Sequence, residues 1–150
     1  MLGRAIADCV QEQEAVRCIL LRGDLGSGKT TLVRFIAEAL PGGDKAEVSS
    51  PSFTLCNAYP TAPPVLHCDL YRVGGSVPEE LDAALDDGAE LCLVEWAEHI
   101  PPAILPKDFL DIELHMCDVY RIIHIRGQGR GGADFTARLR IRLGTSIASE

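Results

Sequence analysis

Gly23-Asp24-Leu25-Gly26-Ser27-Gly28-Lys29-Thr30 fits the spacing Gly-x-x-x-x-Gly-Lys-Ser/Thr of a phosphate-binding P-loop, and its reading decides the fold. Glycines in such a loop let the backbone turn through conformations that a Cβ forbids. Successive N–H groups then converge on an anion, and the helix that follows adds its unpaired N–H groups and the positive end of its dipole. The pattern assigns phosphate binding to Asp24, Leu25, Gly26, Ser27, Gly28, Lys29, Thr30 and Thr31. Lys29 is placed to reach the β- and γ-phosphates, and the Thr30 hydroxyl to hold Mg²⁺. Just upstream, Cys18-Ile19-Leu20-Leu21 is the short apolar run expected of a buried parallel strand. Downstream, Lys29 to Leu40 reads as a helix with Leu32, Val33, Ile36, Ala39 and Leu40 on one stripe, ended by Pro41-Gly42-Gly43. Strand, glycine loop and helix is the context that the motif requires.

The bulk numbers agree with one soluble domain. The chain has 150 residues, 47% hydrophobic and 24% charged. No apolar run approaches membrane-spanning length, and the N-terminus lacks the apolar core of a signal peptide, so a cytoplasmic location is expected. The formal net charge is -8, whereas a protein that grips a nucleic-acid backbone itself is more often basic. Any nucleic acid is therefore expected to be held by a partner. None of the six cysteines forms a Cys-x-x-Cys pair, and a reducing compartment argues against disulfides. His67, Cys68, His115 and Cys117 are zinc-type residues, but their spacing is no known finger and core packing is the favoured reading.

Leu91-Cys92-Leu93-Val94-Glu95-Trp96 is the second anchor. Four apolar residues ending in an acid predict a buried strand that delivers a carboxylate to the sheet's C-terminal edge. P-loop proteins place their second magnesium residue there, and a Glu at position 95, rather than Asp, also allows a catalytic, water-activating role. Val65 to Arg72 reads as another strand, and Asp69 near its end is a candidate for orienting water or metal, or a simple partner of Arg72. Val48-Ser49-Ser50-Pro51-Ser52-Phe53-Thr54 is dense in hydroxyls, and local sequence fits both a switch loop that senses phosphate and a capped turn.

The remaining elements follow from pattern. Leu2 to Glu14 has helical spacing, Thr54 to Tyr59 is strand-like, and Ser76-Val77-Pro78-Glu79 looks like a capping box for an acidic helix. Asp108 to Met116 and Val119 to Gly127 predict two strands joined at Cys117-Asp118. Gly127 to Gly132 reads as a loop. Thr136 to Leu143 alternates Arg138, Arg140 and Arg142 with Leu139, Ile141 and Leu143, which predicts a last strand with a charged edge. The expected fold is a three-layer α/β P-loop NTPase domain with a mixed central sheet, one domain over residues 1–150.

With these anchors placed, the chain resembles the TsaE (YjeE) family, the small ATPases of tRNA threonylcarbamoyladenosine synthesis. The resemblance rests on Gly23 to Thr31, Val48 to Leu55, His67-Cys68-Asp69-Leu70-Tyr71-Arg72, Pro78-Glu79-Glu80-Leu81 and Leu93 to Glu98. It implies binding of ATP and Mg²⁺, slow hydrolysis, and action on a complex of the TsaD and TsaB proteins that modifies tRNA beside the anticodon. By position, Thr30 and Glu95 would serve the metal, Lys29 the phosphates and catalysis, and Asp69 hydrolysis. Ser49 to Thr54 would form the switch loop, and Trp96 would sit near the nucleotide or simply pack. The family usually has a strand before the first helix, which this chain is expected to lack. Cys68 stands where an aromatic is common, and Ala97 where proline is usual.

Two other functions fit the motifs. A small-molecule kinase shares the loop and closes an arginine-bearing lid, for which Gly127 to Arg130 is the lone candidate. A nucleotide-sensing adaptor would bind without turnover. A GTP switch is disfavoured, because no Asn-Lys-x-Asp sequence is present.

Overall fold

The structure, a computed structural model, describes residues 1–51, 53–74 and 76–144. In chain order the main elements are α1 (Leu2–Glu12), β1 (Cys18–Arg22), α2 (Lys29–Ala39), β2 (Cys56–Tyr59), β3 (Val65–Asp69), α3 (Glu79–Asp87), β4 (Leu91–Glu95), β5 (Phe109–Met116), β6 (Arg121–Gln128) and α4 (Gly129–Leu143). The strands form one six-stranded sheet in the order β2-β3-β4-β1-β5-β6. β3, β4, β1 and β5 run parallel, while β2 and β6 pair antiparallel at the two edges.

Strand composition follows the covering of each face. β1 and β4 are apolar up to their last residues, Arg22 and Glu95, because both faces are buried. Ile19, Leu21, Leu91 and Leu93 pack towards α1, α2 and α4. Cys18, Leu20, Cys92 and Val94 pack towards α3. The sheet thus has helices on both sides. β5 alternates instead: Leu110, Ile112 and Leu114 enter the core, while Asp111 on the other face accepts from Arg22 Nε at 2.8 Å. Among the described residues, no helix is long and apolar enough to cross a membrane.

Three expectations are corrected. The first is the last strand, which is α4, and the loop from Gly127 to Gly132 is the end of β6 and the first turn of that helix. Arg-Leu-Arg-Ile-Arg-Leu suits period two, but its neighbours select period 3.6. Phe135 and Leu139, four apart, are buried against the core. Arg138 and Arg142, also four apart, face α1, where they lie 3.7 Å from Glu12 and 3.5 Å from Asp8. Arg138 also bonds Asp134 within the helix at 2.7 Å.

The second concerns cysteines. Cys56 and Cys68 are disulfide-bonded, because the β2–β3 register sets them directly opposite one another. Cys9, Cys18, Cys92 and Cys117 remain free thiols. The zinc-type residues, for which core packing is the favoured reading, are split: β4 and β1 lie between β3, which carries His67 and Cys68, and β5, which carries His115. Among the described residues, no group of three or more His, Cys, Asp or Glu could hold a metal ion. Third, Ser76 is no cap. α3 starts after Pro78, and among the described residues no side chain caps it.

Two outcomes test this arrangement. Phe135→Ala should lower the unfolding free energy in urea by about 3–5 kcal/mol. Ile141→Ala, at a position 83% exposed, should change it by less than about 0.5 kcal/mol, whereas a buried strand face would make both costly. Thiol titration of the denatured, unreduced protein should find four reactive cysteines, and six after reduction.

Candidate functional site

The site begins where β1 ends. The chain turns at Gly23 (φ 139°), where a Cβ would lie 2.5 Å from the Leu114 carbonyl oxygen and 2.7 Å from Ser27 Oγ. It enters α2 at Gly28 (φ 106°), whose carbonyl accepts the Leu32 N–H at 2.9 Å. Both positions lie where L side chains are strained, so the glycines are required by geometry. Lys29, only 5% exposed, opens the helix. Its Nζ donates to the carbonyls of Gly23 at 2.6 Å and Asp24 at 2.9 Å, and sits 4.4 Å from the centroid of the Trp96 ring. Burial pushes the Lys29 ammonium below its usual pKa, and Glu95, Asp69, Glu98 and Asp24 oppose that shift.

The acids arrive from the neighbouring strands. Parallel register sets Asp69, the last residue of β3, beside Glu95, the last of β4. Glu95 is 2% exposed. The Thr30 hydroxyl lies 2.9 Å from Glu95 Oε1 and 3.1 Å from Oε2, which joins the first turn of α2 to the end of β4. His67 Nε2 lies 2.5 Å from Glu95 Oε2, and His67 Nδ1 lies 2.8 Å from the Tyr59 hydroxyl oxygen. Asp69 Oδ1 accepts the Tyr71 N–H at 2.9 Å, and Oδ2 accepts from the Ser50 hydroxyl at 3.3 Å. Arg72 does not pair with Asp69; its guanidinium carbon lies 5.3 Å from the centre of the Phe53 ring.

Lys29, Thr30, Ser50, Asp69 and Glu95 line a cleft of about 260 Å³ with Leu25, Gly26, Gly28, Thr31, Tyr71, Trp96 and Arg121. Seven anticipated residues other than Asp69 and Glu95 therefore meet there: Leu25, Gly26, Gly28, Lys29, Thr30, Thr31 and Trp96, joined by Ser50 of the hydroxyl-rich segment. Asp24 and Ser27 do not line it. Asp24 contributes its carbonyl to Lys29, and Ser27 is 1% exposed. Ser52 lies outside the described residues.

Three contributors were not anticipated. Tyr71 packs on Trp96 with ring centroids 4.7 Å apart. Arg121 opens β6 and reaches back over the loop, its Nε donating to the Ser27 carbonyl at 3.1 Å. His67 was read as core, with zinc as the disfavoured alternative. Its period-two relation to Asp69 signals a shared sheet face, but its contact with Glu95 depends on strand pairing. The Thr30 hydroxyl and the Glu95 carboxylate are hard oxygen donors, few in number, and so suit Mg²⁺ held alongside phosphate.

Fold and site together define an α/β protein with a glycine loop, a buried lysine and a hydroxyl–carboxylate pair converging at the carboxyl ends of parallel strands. The family model described as "Threonylcarbamoyl adenosine biosynthesis protein TsaE" matches residues 1–125, and the chain belongs to that family. Curated relatives carry the name tRNA threonylcarbamoyladenosine biosynthesis protein TsaE. The Aquifex aeolicus protein is 37% identical over 123 residues, covering 80% of this chain and 86% of its own. The Haemophilus influenzae protein is 33% identical over 133 residues, covering 84% and 81%. The Streptomyces coelicolor protein is 38% identical over 104 residues, or 65% of this chain and 66% of its own. Among solved structures, Bacillus subtilis YdiB superposes with a TM-score of 0.64 at 28% identity, covering 95% of this chain and 89% of that one.

The loop geometry is testable without a ligand. Gly28→Ala introduces a Cβ at a φ of 106°, 3.4 Å from Arg121 Nε. It should lower stability by about 1–2 kcal/mol in urea unfolding.

Proposed function

We propose that this chain binds ATP with Mg²⁺ behind a phosphate-binding loop and hydrolyses it slowly. In this reading it acts in tRNA threonylcarbamoyladenosine biosynthesis, in support of a TsaD–TsaB complex. The observation that carries the reading is the Thr30–Glu95 contact at 2.9 Å, set directly behind the loop and beside Lys29. The role in tRNA modification is supported by family membership and by the names of the relatives. The net charge of -8 favours a partner, rather than this chain, as the holder of tRNA.

The residues divide the work. The loop N–H groups and Lys29 hold the phosphates and offset charge that develops on the transferred group. Thr30 and Glu95 would hold Mg²⁺, which when bound supplies further positive charge to the phosphate oxygens. Asp69 orients the attacking water. Its carboxylate is held by the Tyr71 N–H and the Ser50 hydroxyl, so one oxygen is tied to the segment before β2. That link gives residues 49–54 a means to sense the γ-phosphate, as a switch loop does. A kinase reading loses its lid, because Gly127 to Arg130 closes β6 and opens α4.

Glu95→Ala should lower ATP turnover by about 100-fold or more, while nucleotide affinity falls by less than about tenfold. Phosphate release and equilibrium binding check the two halves, and a wild-type rate in Glu95→Ala would exclude Glu95 from the chemistry. Wild-type turnover should change when TsaD, TsaB and tRNA are added together. Turnover indifferent to them would mark a stand-alone ATPase, and phosphate found on an acceptor would mark a kinase.

A further inference from the structure

His67 has no exposed surface, yet both of its ring nitrogens are engaged. A neutral imidazole has one donor nitrogen and one acceptor. Glu95 can only accept when ionised, so Nε2 carries the proton and donates to Oε2 at 2.5 Å. Nδ1 then accepts from the Tyr59 hydroxyl at 2.8 Å. The same hydroxyl oxygen lies 3.3 Å from the Ser49 carbonyl oxygen, farther than from Nδ1. On the far side of the carboxylate, Thr30 Oγ1 is nearer Oε1 than Oε2. Glu95 is therefore gripped at one oxygen from the sheet and approached at the other from α2.

We propose that His67 is a positioning residue, which locks the Glu95 carboxylate so that Oε1 and the Thr30 hydroxyl face the cleft as one pair of metal-binding oxygens. Tyr59 fixes the tautomer that makes this work. The inference rests on the reading of Thr30 and Glu95 as the Mg²⁺ residues. Without the Nε2–H donor the buried carboxylate keeps, among the described residues, only the Thr30 hydroxyl, and hydrogen-bond partners behind a metal's ligands are worth about 10- to 100-fold in metal affinity. The arrangement also gives a reason for a polar pair inside the sheet. Tyr59 is 5% exposed and His67 fully buried, and a hydrocarbon there would leave Glu95 short of a donor.

The test follows Mg²⁺ rather than turnover. Trp96 is the sole tryptophan and lies against Lys29, so its fluorescence reports nucleotide at the loop. ADP is bound to the full chain and Mg²⁺ is titrated. His67→Leu should raise the half-saturating Mg²⁺ concentration by about 10- to 100-fold, and leave ADP affinity in chelator unchanged. His67→Gln, whose amide N–H can donate to Glu95, should restore most of the wild-type Mg²⁺ dependence. Tyr59→Phe, which keeps the ring and removes only the hydroxyl, should raise the Mg²⁺ requirement and serves if His67→Leu does not fold. Unchanged Mg²⁺ half-saturation in the folded His67 and Tyr59 variants would overturn the proposal. Thr30→Val and Glu95→Ala separate the two levels. If they abolish the Mg²⁺ effect while the His67 and Tyr59 variants do not alter it, the positioning role alone fails. If neither alters it, the metal reading itself fails.

Discussion

The hydroxyl of Thr30 lies within hydrogen-bond distance of both carboxylate oxygens of Glu95, and the site depends on that contact. It spans two elements far apart in sequence, the first turn of α2 and the last residue of β4. The contact exists because β4 pairs in parallel with β1, so that the loop leaving β1 passes over the end of its neighbour. The same parallel arrangement brings β3 alongside and sets Asp69 next to Glu95. Two acids and a cation thus share a cleft by topology, and the chain has to fix only the side-chain details.

Those details are fixed by burial. Lys29 and Glu95 are both withdrawn from solvent, and each is held by hydrogen bonds rather than left as a bare charge. Lys29 binds carbonyls of its own loop, which ties the lysine to the backbone curve made by Gly23 and Gly28. Glu95 is braced by His67, itself braced by Tyr59. The result is a stiff wall on the sheet side of the cleft. Beside it stands Asp69, whose bond to Ser50 runs to a segment joined to β2, and β2 is tied to β3 by the Cys56–Cys68 bond. The site therefore joins residues braced within the sheet to the segment before β2.

The central sheet was legible because its signals are local. Apolar runs ending in an acid, a glycine loop and an amphipathic helix each carry their own pattern, and their order implies parallel strands. Lys29, Thr30, Asp69 and Glu95 were legible for the same reason. The C-terminal helix was not, since Arg-Leu-Arg-Ile-Arg-Leu satisfies both periods. What decides is distant: acids at Asp8 and Glu12 on α1, and a core that takes Phe135 with Leu139. Arg121, His67 and the Cys56–Cys68 pair share that limit. Each acquires its role only from strand register, which a single sequence encodes weakly.

The most direct measurement is calorimetric titration of ATP into the wild-type chain, with Mg²⁺ and again with a chelator. Saturable one-to-one binding that weakens by about tenfold or more without the ion is expected if Thr30 and Glu95 act on a phosphate-bound metal. Equal affinity in both conditions, or no binding in either, would contradict a Mg²⁺–nucleotide site in this cleft.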